Sequence, residues 1–275
     1  MLNRTQENYR IQIGEEHDGC LVRLAEAAVE GAYAETRRLG HVFQRQRAAK
    51  SGTTLPLPGD AGLISLSADT AFNWKARFNL QGKDDLKAGS FDLAMPDIEV
   101  RSALPQTATA AGVVGLDELN ALGAESVMLG ATRTLITDSD GTVTVDVARK
   151  ANTVRFVADG TTSTNTFSTQ GEIWAMGKNS VQVDAGVTLA STGADTGAAR
   201  TFKVKGDGAL LQVGHLANTV VAVTNTTASS TPTLKVGDTE NVAAPVTLRG
   251  NAVQLDSTGT TKLADNTVLD TQSLG

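Results

Sequence analysis

Residues 122–193 read LGAESVMLGATRTLITDSDGTVTVDVARKANTVRFVADGTTSTNTFSTQGEIWAMGKNSVQVDAGVTLASTG, and their patterning decides the fold. Val143, Val145 and Val147 alternate with Thr144 and Asp146, and Val154 and Phe156 flank Arg155. Val181 and Val183 flank Gln182, and Val187 and Leu189 flank Thr188. A side-chain period of two marks a strand with one buried face. Each run is only about three to six residues long and is closed by turn-forming residues. Ser139-Asp140-Gly141, Asp159-Gly160, Gly177-Lys178-Asn179 and Asp184-Ala185-Gly186 are such closures.

Strands this short bury little surface alone. Coiling the chain, so that each strand pairs with its equivalent one turn above and below, stacks the inward side chains into a continuous core. The expectation is therefore all-β: a right-handed parallel β-helix, or β-solenoid, over residues 61–275. An irregular or partial β-helical segment over residues 1–60 precedes it.

The same stretch carries a family resemblance. LGAESVMLGATR from Leu122 to Arg133, the alternating segment after it, and GEIWAMGKNSVQVDAGVTLASTG from Gly171 to Gly193 together resemble the C-proximal β-helical region of filamentous haemagglutinin-like exoproteins. These are large bacterial surface proteins of the two-partner secretion type. The shared motifs are strand and turn patterns, so the resemblance bears on architecture and export. It implies a structural scaffold segment of a secreted adhesin that mediates attachment at the cell surface. The implied partners are an outer-membrane transporter during export and a glycan or protein on a host or neighbouring cell. The N-terminus, MLNRTQENYRIQIGEEHDG, has no basic region followed by an apolar core and so no signal peptide. Under the resemblance, the chain is then part of a longer exported polypeptide.

Composition agrees with a narrow coil. The 275 residues suffice for one large or two ordinary domains. Aromatics make up 4% of them and there are 27 glycines; few rings and many small β-formers suit a thin stacked core. A net charge of −6 argues against a nucleic-acid partner, since no basic stripe is left to neutralise phosphates. The cationic run Arg37, Arg38, Arg45, Arg47 and Lys50 is local and reads as a solvated face. Cys20 stands alone, which leaves no intramolecular disulfide and suits a chain that crosses a membrane unfolded. No apolar run approaches a membrane span, so no membrane insertion is expected.

Along the chain, Ile11 and Ile13 around Gln12 suggest a short edge strand. Two readings compete over residues 20–39. Leu21, Leu24, Ala25, Ala28, Val29 and Ala32 recur at helical spacing before Gly40. Against that helix, DGCLVRL from Asp18 echoes DGALLQV from Asp207, and similar echoes continue at an offset of about 185 residues, as in an internal repeat. The echo favours strands. Pro56 and Pro58 mark a loop, and Leu63–Ser67, Phe72–Trp74, Phe78–Leu80, Phe91–Leu93 and Ile98–Val100 are short strand candidates. Pro96 cannot donate to a ladder and belongs at a corner. Residues 101–115 read as an irregular excursion, and residues 116–122 as one helical turn before the chain re-enters the coil at Val127. Strand starts roughly ten residues apart imply about two strands per turn, hence about ten turns and a rod on the order of 50 Å.

Reactive chemistry finds little to stand on. Polysaccharide-cleaving β-helices need carboxylates that converge on one flank. The available groups are Asp84 with Asp85, Asp92 with Asp97 and Glu99, and Asp138 with Asp140; those beside glycines read as turn chemistry. His17, His41 and His215 lack the spacing of a metal site. No catalytic residue, metal or cofactor is expected. Trp74 and Trp174 are the candidate binding residues, as platforms for a stacked sugar, set against the plainer role of filling wide corners. For Trp174 the face is open, because Glu172, Trp174 and Met176 share one side of the strand and Ile173 and Ala175 the other. Two further readings keep the coil: the stalk of a contact-dependent toxin delivery exoprotein, and a carbohydrate-active enzyme.

Overall fold

The computed structural model describes residues 10–14, 61–102 except 71, 73, 75 and 83–86, 112–158 except 138, 140 and 141, 165–193, 199–223 except 217, 231–237 and 244–271. Regular structure among them is strand, apart from one short helix, α1 (Leu116–Asn120). Sheet A runs in the order β1 (Arg10–Gly14), β2 (Leu63–Ser67), β3 (Ser90–Ala94), β6 (Ser126–Leu129), β11 (Glu172–Gly177), β15 (Ala209–Gly214), β19 (Ala252–Ser257). Sheet B runs β5 (Gly112–Gly115), β4 (Asp97–Arg101), β9 (Thr153–Val157), β12 (Ser180–Val183), β17 (Thr233–Val236), β20 (Thr260–Leu263). Sheet C is β7 (Ala131–Thr137), β8 (Val143–Arg149), β14 (Thr201–Lys205), β16 (Thr219–Val223). Sheet D is β10 (Thr166–Thr169), β13 (Thr188–Ser191), β18 (Val246–Arg249), β21 (Thr267–Asp270).

The short alternating runs hold because the inward side chains of one strand land on those of the next. In sheet A, Ile64, Phe91, Val127, Ile173, Val213 and Val253 lie each opposite the next. Sheet B repeats this with Ile98, Val154, Val181 and Leu234, and sheet D with Phe167, Leu189 and Leu248. The three rows meet in one hydrophobic cluster. Each fully buried Val, Ile, Leu or Phe contributes about 1.5–3 kcal/mol, so it is the stack that makes strands of four to six residues stable.

The chain visits three of the sheets in rotation. It passes A, B and D as β11, β12 and β13, again as β15, β17 and β18, and again as β19, β20 and β21. Sheets B and D are parallel throughout. The corner between A and B is itself a ladder: the Asn152 amide donates to the Pro96 carbonyl, that of Asn179 to Asn152 (2.8 Å) and that of Thr233 to Asn179 (2.9 Å). Pro96 sits in the bend between β3 and β4, where its missing N–H is not needed.

Sheet C lies outside this circuit. Between β6 and β9 the chain leaves to form the antiparallel pair β7–β8, and β14 and β16, on either side of β15 in sequence, extend that pair in parallel with β8. Met128, Trp174, Met176 and Leu210 of sheet A pack against Val145, Val147, Phe202 and Val204 of sheet C in a second cluster. Sheet A is thus covered on both faces over β6, β11 and β15, and every residue of these three strands is buried. Gly130 turns the chain out of sheet A with φ +86°, and a Cβ there would lie 2.0 Å from the Met176 carbonyl oxygen; glycine alone fits.

Several sequence expectations need correction. Val143, Val145 and Val147 belong to sheet C and not to the sheets A, B and D that the chain visits in rotation. The circuit has three sides, so sheet A, the longest, holds seven strands, a stack of roughly 30 Å at the usual strand spacing. Pairing is not uniformly parallel, because β1–β2, β11–β15 and β15–β19 are antiparallel; alternation survives reversal, so Leu211 and Val213 still turn to the core. Residues 72, 74 and 76–80 are irregular and not strands. By contrast α1 occupies the expected helical turn and β1 the expected edge. Residues 20–39 lie outside the described residues.

Candidate functional site

Polar side chains gather in two places. The first is sealed between sheets A and C. Asp92, wholly buried on β3, accepts the Arg133 Nε–H at 2.7 Å and the Arg133 backbone N–H at 2.9 Å. Arg133 Nη1 donates to Ser126 Oγ at 2.7 Å, and the Ser126 hydroxyl lies 3.4 Å from Glu172 Oε2 as its donor. Glu172, also wholly buried, accepts the Trp174 indole N–H at 2.9 Å and the Asn218 side-chain amide. Arg200, partly exposed, brings its guanidinium to 4.0 Å from Glu172. Arg133 Nη2 and His215 Nδ1 are buried without a partner. Burial pushes the Asp92 carboxyl above the ordinary carboxylate range, and the Arg133 charge and hydrogen bonds pull it part of the way back.

Asp92 accepts from Arg133 of sheet C, and Glu172 from Ser126 and Trp174 of sheet A and from Asn218 between β15 and β16. The arrangement is a brace: it ties β3, β6 and β11 of sheet A to β7 and to the β15–β16 turn. Trp174 is part of it, with its ring 4.4 Å from that of Phe202. Wholly buried, it presents no face to a sugar at the surface. Trp74 lies elsewhere, half-buried and edge-on to Phe72 and Phe78 at 5.8 and 5.4 Å, and 5.3 Å from Phe91. The two tryptophans are not brought together.

The second place is a groove of about 290 Å³ on the outer face of sheet B, lined by Asp97, Glu99, Thr153, Arg155, Ser180 and Gln182. Arg155 forks onto Asp184, with Nε at 3.1 Å from both oxygens and Nη2 at 2.7 Å, and this pairing holds its guanidinium above its ordinary pKa. Gln182 donates to the same carboxylate at 2.7 Å, the Thr153 hydroxyl donates to Asp97 at 2.6 Å, and Arg101 pairs with Glu99. The charges of this face are largely satisfied within it.

The carboxylates that sequence grouped as Asp92, Asp97 and Glu99 are split by the Pro96 corner. Asp92 faces sheet C, whereas Asp97 and Glu99 line the groove on B. Asp84, Asp85, Asp138, Asp140, His17 and His41 lie outside the described residues. Among the described residues no group of three or more His, Cys, Asp and Glu is placed to hold a metal ion, and no helix is long and apolar enough to cross a membrane. Sequence reasoning missed the brace, although EIWAMG carried a signal: large apolar groups on both sides of one strand mean cover on both faces. Comparison with family models, with curated proteins and with solved structures finds no match to this chain.

Proposed function

We propose that the chain is a length of right-handed parallel β-helix that serves as a structural scaffold in a secreted bacterial surface adhesin of the filamentous haemagglutinin type. The observation that carries this reading is the rotation of the chain through sheets A, B and D with inward residues in register from one passage to the next. A stack of that kind extends by adding turns and projects whatever it carries. It also suits export, because each turn templates on the last as the chain emerges, so folding outside the cell draws the chain outward.

Surface display tests both parts. The full reading frame is produced in bacteria with and without an outer-membrane transporter of the two-partner type, and surface exposure is read by protease accessibility. Display should depend on the transporter. It should also slow with Val183→Asp, which puts a charge at a wholly buried rung position. Display that ignores both changes would sink the reading.

One observation favours a second reading, a carbohydrate-active coil: Asp97, Glu99 and Arg155 share the groove on sheet B. Incubation with acidic polysaccharides should then give new reducing ends or unsaturated products, and these should vanish in Glu99→Gln.

A further inference from the structure

Sheet B carries two rows of side chains on its outer face. Asp97, Thr153 and Ser180 stand in register across β4, β9 and β12, and Glu99, Arg155 and Gln182 stand in register two residues further along the same strands. Side chains two apart on a strand share a face. The first row is short and the second long, so the short row is the floor of the groove of about 290 Å³ and the long row its wall. The floor continues past the groove as Thr233, opposite Ser180, and Thr260, opposite Thr233. The trough therefore runs across the strands.

Part of the hydrogen-bonding capacity here is spent within the face and part is not. Thr153 donates to one oxygen of Asp97, Gln182 Nε2 donates to Asp184, and Arg155 commits Nε and Nη2 to the same Asp184. Among the described residues, the Ser180 hydroxyl, the Gln182 side-chain oxygen, the second oxygen of Asp97 and Arg155 Nη1 make no hydrogen bond. The guanidinium nitrogen donates, the two oxygens accept, and the hydroxyl does both. A ligand carboxylate would satisfy the donors but meet Asp97 and Glu99. A ligand ammonium would satisfy the acceptors but meet Arg155. Like charges brought together in this way cost affinity; a neutral ligand whose groups both give and accept avoids either contact.

We propose that this groove binds a neutral saccharide, whose ring hydroxyls bridge Asp97, Ser180, Gln182 and Arg155. The proposal rests on the second reading above for its saccharide, and makes that saccharide uncharged. Neighbouring hydroxyls on a sugar ring each donate and accept, which is what a mixed set of unspent groups calls for. None of the residues lining the groove is aromatic, so polar contacts carry the affinity in place of a stacked ring. The direction of the trough lays a linear glycan across the strands, along the stack, with Thr233 and Thr260 as further hydroxyls beneath it.

The test is a titration of the isotope-labelled 275-residue chain, followed by its amide shifts, with tetrasaccharides of β-linked glucose, galactose and mannose and with a tetramer of galacturonate. A neutral probe should move the amides of Thr153, Ser180 and Gln182, and galacturonate should leave them in place. Ser180→Gln, which fills the floor without a change of charge, should abolish the response. Asp97→Ala should weaken binding about tenfold. Ser180 is half-buried and Asp97 exposed, so amides of the buried rows should keep their wild-type positions in both variants. Silence with all the neutral probes, equal binding of galacturonate, or binding that survives Ser180→Gln would each overturn the proposal. Reducing-end assays on the same samples separate it from the second reading. A neutral sugar bound and left intact keeps the site and discards the catalysis, whereas acidic polysaccharide cleaved as well by Ser180→Gln as by wild type keeps the catalysis and discards this site.

Discussion

Asp92 and Arg133 place opposite charges where water does not reach, with side chains 0% and 3% exposed. Removing one partner of a buried pair typically costs about 3–5 kcal/mol, whereas replacing both by apolar groups of similar volume is often neutral or stabilising. Asp92→Ala should therefore lower the urea midpoint sharply, and Asp92→Leu with Arg133→Met should recover most of the loss; a double variant as weak as the single one would refute the brace. The pH dependence has a defined sign. The unfolded chain releases the Asp92 proton in the ordinary carboxylate range, while burial keeps it on the folded chain to higher pH. That contribution to stability is complete below the ordinary range and is lost as pH rises through the raised value. Relative to Asp92→Asn, wild type should thus lose stability across that window in a series of urea titrations. Parallel curves would mean that the Arg133 contact outweighs burial.

At the scale of elements, two devices shape the sheets. α1 has five residues and makes no side-chain cap at its start, so its own hydrogen bonds do little to hold it in water. Leu116, Leu119 and Leu122 anchor it in the core, and the Asn120 side chain bonds the Thr166 carbonyl and the Ser168 N–H of β10. Asn120→Ala removes two hydrogen bonds, each worth about 0.5–1.5 kcal/mol; the expected result is faster amide exchange at Ser168 with the rest of the ladder unchanged. Gly130 governs the exit into sheet C. An added methyl meets a carbonyl at a left-handed backbone position, so Gly130→Ala should destabilise by more than about 1 kcal/mol. The loss should appear as reduced burial of Trp174 in fluorescence, whereas a blue-shifted wild-type spectrum would show that the strain is absorbed elsewhere.

At the scale of the molecule, stability in a stack is a sum of contacts between neighbouring turns, and a terminal turn has one neighbour instead of two. Amides of β19, β20 and β21, each last in its sheet among the described residues, should therefore exchange faster than those of β9 and β12, with β17 between; uniform exchange across these strands would contradict stacking as the source of stability. What the amino-acid order determined by itself was local: strands with one apolar side, corners at Pro96 and Asn179, the single helical turn at Leu116–Asn120. These follow from period two, from the missing N–H of proline and from turn chemistry, none of which needs a distant partner. Which layer an apolar side looks at was decided only in three dimensions. Val145 and Val181 alternate alike in sequence, yet one packs in the cluster between sheets A and C and the other in the cluster shared by sheets A, B and D. The reversal of β15 and the meeting of Asp92 with Arg133 belong to the same class. Alternation is unchanged by strand direction, and ion pairing depends on folded distance, so neither leaves a mark that neighbouring residues alone can carry.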